Sequence, residues 1–168
     1  MTIRPATAAD AAQIVAIYNH GIAERQATFE TRPRSTDDVA EWLAARRPFL
    51  VATDGDAVLG FARVSAYSTR AAYAGVGEHT VYVSHTARGR GVGVALLNAL
   101  ADAATQAGYH KLTSRVFATN AASLALHRKA GFTEVGVQRR HAQLDGEWKD
   151  TVLVERLLGE AANYPLTP

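Results

Sequence analysis

Between Glu78 and Gly93 the chain runs from a strand through a glycine turn into a helix, and few backbone arrangements satisfy all three. Residues Glu78 to Ser84 alternate as a strand, and His85, Thr86 and Ala87 make a short connection. Arg88-Gly89-Arg90-Gly91-Val92-Gly93 comes next. Helical periodicity follows, with Val92, Leu96, Leu100, Ala103 and Ala107 expected on the buried face and Gly108 as the stop. Alternating glycines between strand and helix leave several N–H groups uncovered and convergent. The helix N-terminus adds about half a positive charge there. Two arginines bracket the turn, and such a place suits a phosphate group.

Spacing narrows the choice of phosphate ligand. A nucleoside-triphosphate loop needs Gly-x-x-x-x-Gly-Lys-Ser/Thr, and neither lysine nor hydroxyl follows Gly93. A dinucleotide fingerprint needs Gly-x-Gly-x-x-Gly after the first strand of a βαβ unit, with an acid about 20 residues on. Here the glycines alternate strictly and the preceding strand lies near mid-chain. What remains is Arg88-x-x-Gly91-x-Gly93, beside the plainer reading of a tight turn that only joins strand to helix.

At 168 residues and 48% hydrophobic content, the chain can bury one well-packed core and is short for two. A single domain over residues 1–158 with a tail over 159–168 is therefore expected. Net charge is +2, with no lysine/arginine block interleaved with aromatics, which argues against a nucleic-acid partner. Without cysteine there is no disulfide framework, thiolate metal site or thiol nucleophile. No histidine spacing suggests a metal either. The opening Met1-Thr2-Ile3-Arg4-Pro5 is not an apolar leader, and no apolar run approaches a membrane span. A soluble, cytoplasmic protein without a membrane partner is the expectation.

Taken in order, strands and helices alternate. Residues 2–5 read as a first strand, and Thr7 with Asp10 caps a helix striped by Ile14, Ile17, Tyr18, Gly21 and Ile22. Ser35 caps a second helix through Trp42 and Leu43. Strands at 49–53 and 58–64 meet at Asp54-Gly55-Asp56. Beyond the central unit come a strand at 112–117 and a helix from Asn120 to about Ala130, stopped by Gly131. A final pair of strands near 132–141 and 148–157 turns at Asp145-Gly146, with Trp148 expected to pack that hairpin. The alternation predicts an α/β fold: a mixed sheet with helices on both faces.

Several further motifs surround the glycine turn in order: Asn19-His20-x-Ile22, Phe29-x-Thr31-x-Pro33, Arg70-x-x-Tyr73, Glu78-x-Thr80-Val81-Tyr82-Val83-Ser84, Asn120-x-x-Ser123-x-x-x-His127 and Gly131-Phe132. In this combination the chain resembles the GCN5-related N-acetyltransferases (GNAT) over nearly its whole length. It is most similar to their phosphinothricin branch, which also includes methionine sulfoximine, methionine sulfone and arsinothricin acetyltransferases, and within it to the arsinothricin type. The resemblance implies the GNAT acyl-CoA N-acyltransferase fold, a mixed sheet of about seven strands with helices on both faces.

The resemblance implies acetyl-CoA as the acetyl donor. Its diphosphate is expected on the backbone N–H groups of Arg88, Gly89, Arg90, Gly91, Val92 and Gly93, with the Arg88 and Arg90 side chains adding charge. The pantetheine arm is expected along Val81, Tyr82 and Val83, whose amides would also polarise the thioester carbonyl. Asn120 and Ser123 are expected to meet that arm, although helix capping alone would explain Asn120. The acceptor is an amine, which must lose a proton to attack. Glu78 is the candidate base, acting directly or through ordered water, beside the plainer reading of a solvated strand end. Alternation puts it with Thr80 and Tyr82 on one side of the strand and His79, Val81 and Val83 on the other.

His127 stands where most of the superfamily carries tyrosine, and an imidazole there could protonate the departing thiolate or hold a ligand. The other histidines, His79 among them, have no such support. Arg70 and Tyr73 are expected to bind the acceptor's anionic groups, and Phe29 to wall its apolar side. The activity implied is N-acetylation of a small amino-acid analogue, a detoxification or resistance reaction. The alternatives are a protein N-terminal or polyamine acetyltransferase, or a CoA-binding sensor without turnover. Relatives in this branch commonly pair, so a homodimer is expected.

Overall fold

In the computed structural model, which describes residues 1–165, seven strands share one sheet. They are β1 (Thr2–Pro5), β2 (Phe49–Asp54), β3 (Ala57–Ala66), β4 (Val76–Val83), β5 (Lys111–Phe117), β6 (Thr133–Leu144) and β7 (Glu147–Leu157), in the order β1-β2-β3-β4-β5-β7-β6. Every neighbouring pair is antiparallel except β4 with β5. The helices are α1 (Ala11–Ala23), α2 (Thr36–Ala44), α3 (Val92–Gln106), α4 (Ala121–Lys129) and a short α5 (Glu160–Asn163), which lies in the stretch expected to be a plain tail. The last three residues of that tail lie outside the described residues.

Strand alternation divides the apolar residues between two cores. On β2, Leu50 and Ala52 join one cluster while Phe49 and Val51 join the other; on β4, Val81 and Val83 part from Tyr82 in the same way. Helices α1 and α2 cover the second face through Ile14, Tyr18, Ile22 and Val39. Helices α3 and α4 cover the first through Leu96, Leu97, Leu100 and Leu124. The buried stripe of α3 differs from the expected one. Ala107 is exposed and Ala103 only partly covered, while Leu97, Ala101 and Ala104 are fully enclosed. An ideal helix turns 3.6 residues per turn, and the sheet plus α4 give α3 a wider contact than a single row of residues could fill.

Local chemistry sets the helix ends. Ser35 Oγ accepts from the Asp38 N–H while the Asp38 carboxylate accepts from the Ser35 N–H at 2.7 Å, a reciprocal cap for α2. Asp10, buried at the start of α1, is held by both arms of the Arg4 guanidinium at 2.8 Å. That pairing, against the cost of burial and with help from Thr7, lowers its carboxyl to about 2. The glycines after α3 and α4, Gly108 and Gly131, have φ of +89° and +77°, the left-handed stops expected of them.

The feature that makes room for a site is where β4 and β5 stop pairing. Only Val76–Lys111, Gly77–Leu112 and Glu78–Thr113 are in register. Beyond Glu78 the two parallel strands part, although β4 stays paired with β3 as far as Val83. At the far edge, β6 is largely exposed, with Val135 and Val137 at 52% and 60%. Trp148 does not pack the hairpin as expected and is 59% exposed.

Candidate active site

Two cavities open into the gap between β4 and β5, of about 500 Å3 and about 470 Å3. They share Ala27, Val81, Tyr82, Asn120 and Ser123, so they meet along the free edge of β4 and the start of α4.

The second cavity is lined by Val81, Tyr82, Val83, Arg88, Gly89, Gly91, Val92 and Gly93, with Leu126 and Lys129 of α4 opposite. Gly89 and Gly91 have φ of +75° and +78°, a conformation that costs most residues energy. A methyl group on either would meet no protein atom within 4 Å, so what the missing side chains keep clear is the space in front of the backbone. Gly93 is different. A Cβ there would collide with Leu126, so it permits α3 and α4 to approach. Among the described residues, none of the N–H groups of residues 88–91 donates to a well-aligned backbone carbonyl, and the first N–H groups of α3 have no partner within the helix. An anionic diphosphate fits this loop on those grounds.

The arginines of the loop behave differently from expectation. Arg88 donates from both Nη atoms to the two carboxylate oxygens of Glu24, at 2.8 and 2.7 Å, and so is already paired. This bidentate bond lowers the Glu24 carboxyl against the opposing effect of burial. Arg90 does not line the cavity and points to Asp54, 3.9 Å away. The positive character of the loop therefore comes chiefly from its backbone.

The first cavity is walled by Tyr18, Phe29, Glu30, Arg34, Arg63, Ser65, Glu78, Thr80, Arg115 and His141, and reaches His79 and His127 at its base. Glu78 occupies the last in-register pair before the strands part, so its carboxylate stands where the opening begins. Phe29 packs edge-on against Phe117 across the opening, with centroids 4.8 Å apart. Asn120 does two things: its Oδ1 accepts from the Ser123 N–H, and its Nδ2 donates to the Gln26 carbonyl at 3.1 Å. It caps α4 and ties down the α1–α2 connection. Tyr82 lines both cavities, and burial among aromatic neighbours raises its phenol above the ordinary value, so it stays protonated.

His127 is not a free side chain. Its Nδ1 lies 2.7 Å from the Ser123 carbonyl, which can only accept, so Nδ1 carries a proton. Its Nε2 lies 2.9 Å from Nε2 of His79. In a neutral pair the shared proton then belongs to His79. Burial lowers both imidazoles, His79 well below the ordinary value, and in His79 the neighbouring His127 adds to the shift. The Thr113 backbone opposes it, but His79 Nδ1 has no aligned hydrogen-bond partner. Phe132 packs against both rings. Both nitrogens of His127 are thus engaged with protein, and the expected proton donor to a thiolate has no N–H directed at the cavity.

Arg70 and Tyr73 also depart from expectation, for neither lines either of these two cavities. They form a local pair, with the guanidinium 5.5 Å from the ring, and Tyr73 packs edge-on against Tyr67. Arg34, Arg63 and His79, which the sequence reading passed over, stand in the site instead. Arg63 lies two residues after Phe61 on β3, on the same face of the strand as that buried ring, and that shared parity could have found it.

A sequence profile described as an acetyltransferase (GNAT) domain matches residues 3–153. The chain is 34% identical to an L-methionine sulfoximine/L-methionine sulfone acetyltransferase of Salmonella typhimurium, covering 96% of this chain and 97% of that one. It is 34% identical to a phosphinothricin N-acetyltransferase of Streptomyces coelicolor, over 93% and 95% respectively. Among solved structures, a GNAT superfamily phosphinothricin acetyltransferase from Sinorhizobium meliloti in complex with acetyl-CoA superposes with a TM-score of 0.89. It is 34% identical, and the match covers 99% of this chain and 92% of that one.

Proposed function

Because the chain belongs to the GNAT acetyltransferase family, we propose that it moves the acetyl group of acetyl-CoA to the α-amino group of a small amino-acid analogue. Relatives named for phosphinothricin and for methionine sulfoximine and sulfone support this acceptor class. The observation that carries the reading is the position of Glu78, on the wall of the first cavity and at the point where the strands part toward the second.

In this reading the loop 88–93 holds the donor's diphosphate on its backbone, and the free edge of Val81–Val83 lies beside the pantetheine arm. Acetyl-CoA supplies the thioester. Glu78 takes a proton from the acceptor ammonium, and the freed nitrogen attacks the thioester carbon; as the carbon–sulfur bond breaks, the nitrogen gives its second surplus proton to solvent in the cavity. The departing sulfur takes its proton from solvent along the open cavity. His127 serves as a positioning group: bonded to His79 and to Ser123, it fixes the start of α4 against β4. Burial beside fixed dipoles and the alignment of the two substrates supply most of the acceleration.

The reading extends to a homodimer, supported by an exposed edge strand, β6, that carries Val135 and Val137. No helix among the described residues is long and apolar enough to cross a membrane. The test is purified protein with acetyl-CoA and a panel of phosphinothricin, methionine sulfoximine, methionine sulfone, arsinothricin, polyamines and peptides. Thiol release and the mass of the acetylated product are followed. N-acetylated amino-acid analogues are expected. Binding of acetyl-CoA with no thiol release on any acceptor would make the protein a sensor and end the reading.

A further inference from the structure

Arg63 is a cation enclosed without a counter-ion. Its Nε is buried and has no hydrogen-bond partner, and it joins no ion pair among the described residues. The guanidinium lies 4.1 Å over the Trp42 ring, which orients it but neutralises nothing. Arg34 reaches the same cavity from the α1–α2 connection. Its backbone is pinned in both directions by Asn19, which accepts from the Arg34 N–H at 2.7 Å and donates to its carbonyl at 3.0 Å. The Arg34 guanidinium sits over Tyr18 and pairs with Glu30 at 2.9 Å, yet its Nε too is buried and unpartnered. Two fixed guanidinium groups on one cavity wall, one of them without a counter-ion, are costly in the folded chain unless an anion faces them; their Nε atoms are closed off, so that anion would meet the terminal nitrogens.

Their place in the sheet says which part of an acceptor they meet. Arg63 is opposite Thr80 on β3, one strand further from the gap than Glu78, and it leans toward α2. The reacting nitrogen must lie between Glu78 and the gap, so Arg63 addresses the end of the acceptor remote from that nitrogen. We propose that Arg34 and Arg63 form a receptor for an anionic group at the end of the acceptor's side chain, committing the pocket to acceptors that carry a side-chain anion beside the α-carboxylate. This rests on the acceptor reading above and divides it. A phosphinate side chain supplies the anion, whereas a sulfone side chain is neutral. Burial lowers the proton affinity of Arg63, and Arg34 and Arg47 push the same way against Tyr18 and Glu78, an excess of positive charge that an anion would relieve.

Steady-state kinetics on phosphinothricin and methionine sulfone, with saturating acetyl-CoA, test it. The unaltered enzyme is expected to favour phosphinothricin by about tenfold or more in kcat/KM. Arg63→Met should lose about tenfold to a hundredfold on phosphinothricin, mostly in KM, and no more than about threefold on methionine sulfone. Arg34→Gln, a change nearer the surface, should move the ratio in the same direction and decides the matter if Arg63→Met does not fold. Equal losses on both acceptors, or a preference of the unaltered enzyme for the sulfone, would overturn the receptor and leave the acetyltransfer reading standing. Failure to acetylate any amino acid would overturn both.

Discussion

The two cavities that meet at Tyr82 are built from different material. The loop at residues 88–93 presents main-chain groups, held by two glycines in the left-handed region and by the first turn of α3. The first cavity presents side chains drawn from α1, its following connection, β3, β4, β5 and β6. A backbone site is contiguous, so its chemistry is set within a few residues and depends little on the rest of the fold. A side-chain site is assembled by strand register and can be retuned one residue at a time.

The sharpest break would come at Glu78, on the wall of the first cavity where β4 and β5 stop pairing. Glu78→Gln is expected to lower kcat by about 10²–10⁴ with little change in affinity for acetyl-CoA. An unaltered kcat across the pH range would remove it from the mechanism. Next in size is Gly91→Val, which forces a β-branched residue to φ near +78° and puts a side chain into the open space in front of the loop. The KM for acetyl-CoA should rise by about tenfold or more, and the KM for the acceptor should stay close to its original value. Wild-type affinity in a titration would discredit the loop as the diphosphate site.

The histidine pair offers a readout in stability. Both imidazoles are lowered, so below the ordinary value of about 6.5 the unfolded chain binds protons that the folded one does not. Stability is then complete above that pH and falls as pH drops toward the folded values, by up to about 1.4 kcal/mol per pH unit for each ring. Asp10 acts in a separate window, its contribution fading only as pH falls from about 4 toward 2. Thermal melts between pH 5 and 8 should show a shallower acid slope for His79→Gln, and an identical slope would mean that His79 titrates normally in the fold. The smallest effect is expected at Glu24. Freeing Arg88 by Glu24→Gln should lower the KM for acetyl-CoA about twofold to threefold at low salt and do little at high salt. A rise instead would show that Glu24 shapes the loop and does not compete with the donor.

The same contrast decides what is legible in the sequence. The strand–turn–helix around Arg88–Gly93, the caps at Ser35 and Asn120, and the glycine stops at Gly108 and Gly131 are local, and each lies where expected. The alternation along β4 also held, placing Tyr82 and Val81 in opposite cores. Arg70 and Tyr73 were misplaced because nothing local reveals that their segment turns on itself and packs with Tyr67. Arg63 and Arg34 come together only through the register of β3 with β4 and the anchoring of a connection by Asn19. His79 and His127 are 48 positions apart, and their bond exists because α4 returns to the face of β4 that α3 already covers.

The short β4–β5 ladder has a mechanical consequence. With three residue pairs joining β1–β4 to β5–β7–β6, the sheet is two masonry walls that share a narrow course of stone, braced by α3 and by the histidine pair. A molecule seated in the gap touches both walls and becomes mortar between them. Occupancy should therefore make the halves melt as one body, coupling the integrity of the whole sheet to the supply of its acyl donor.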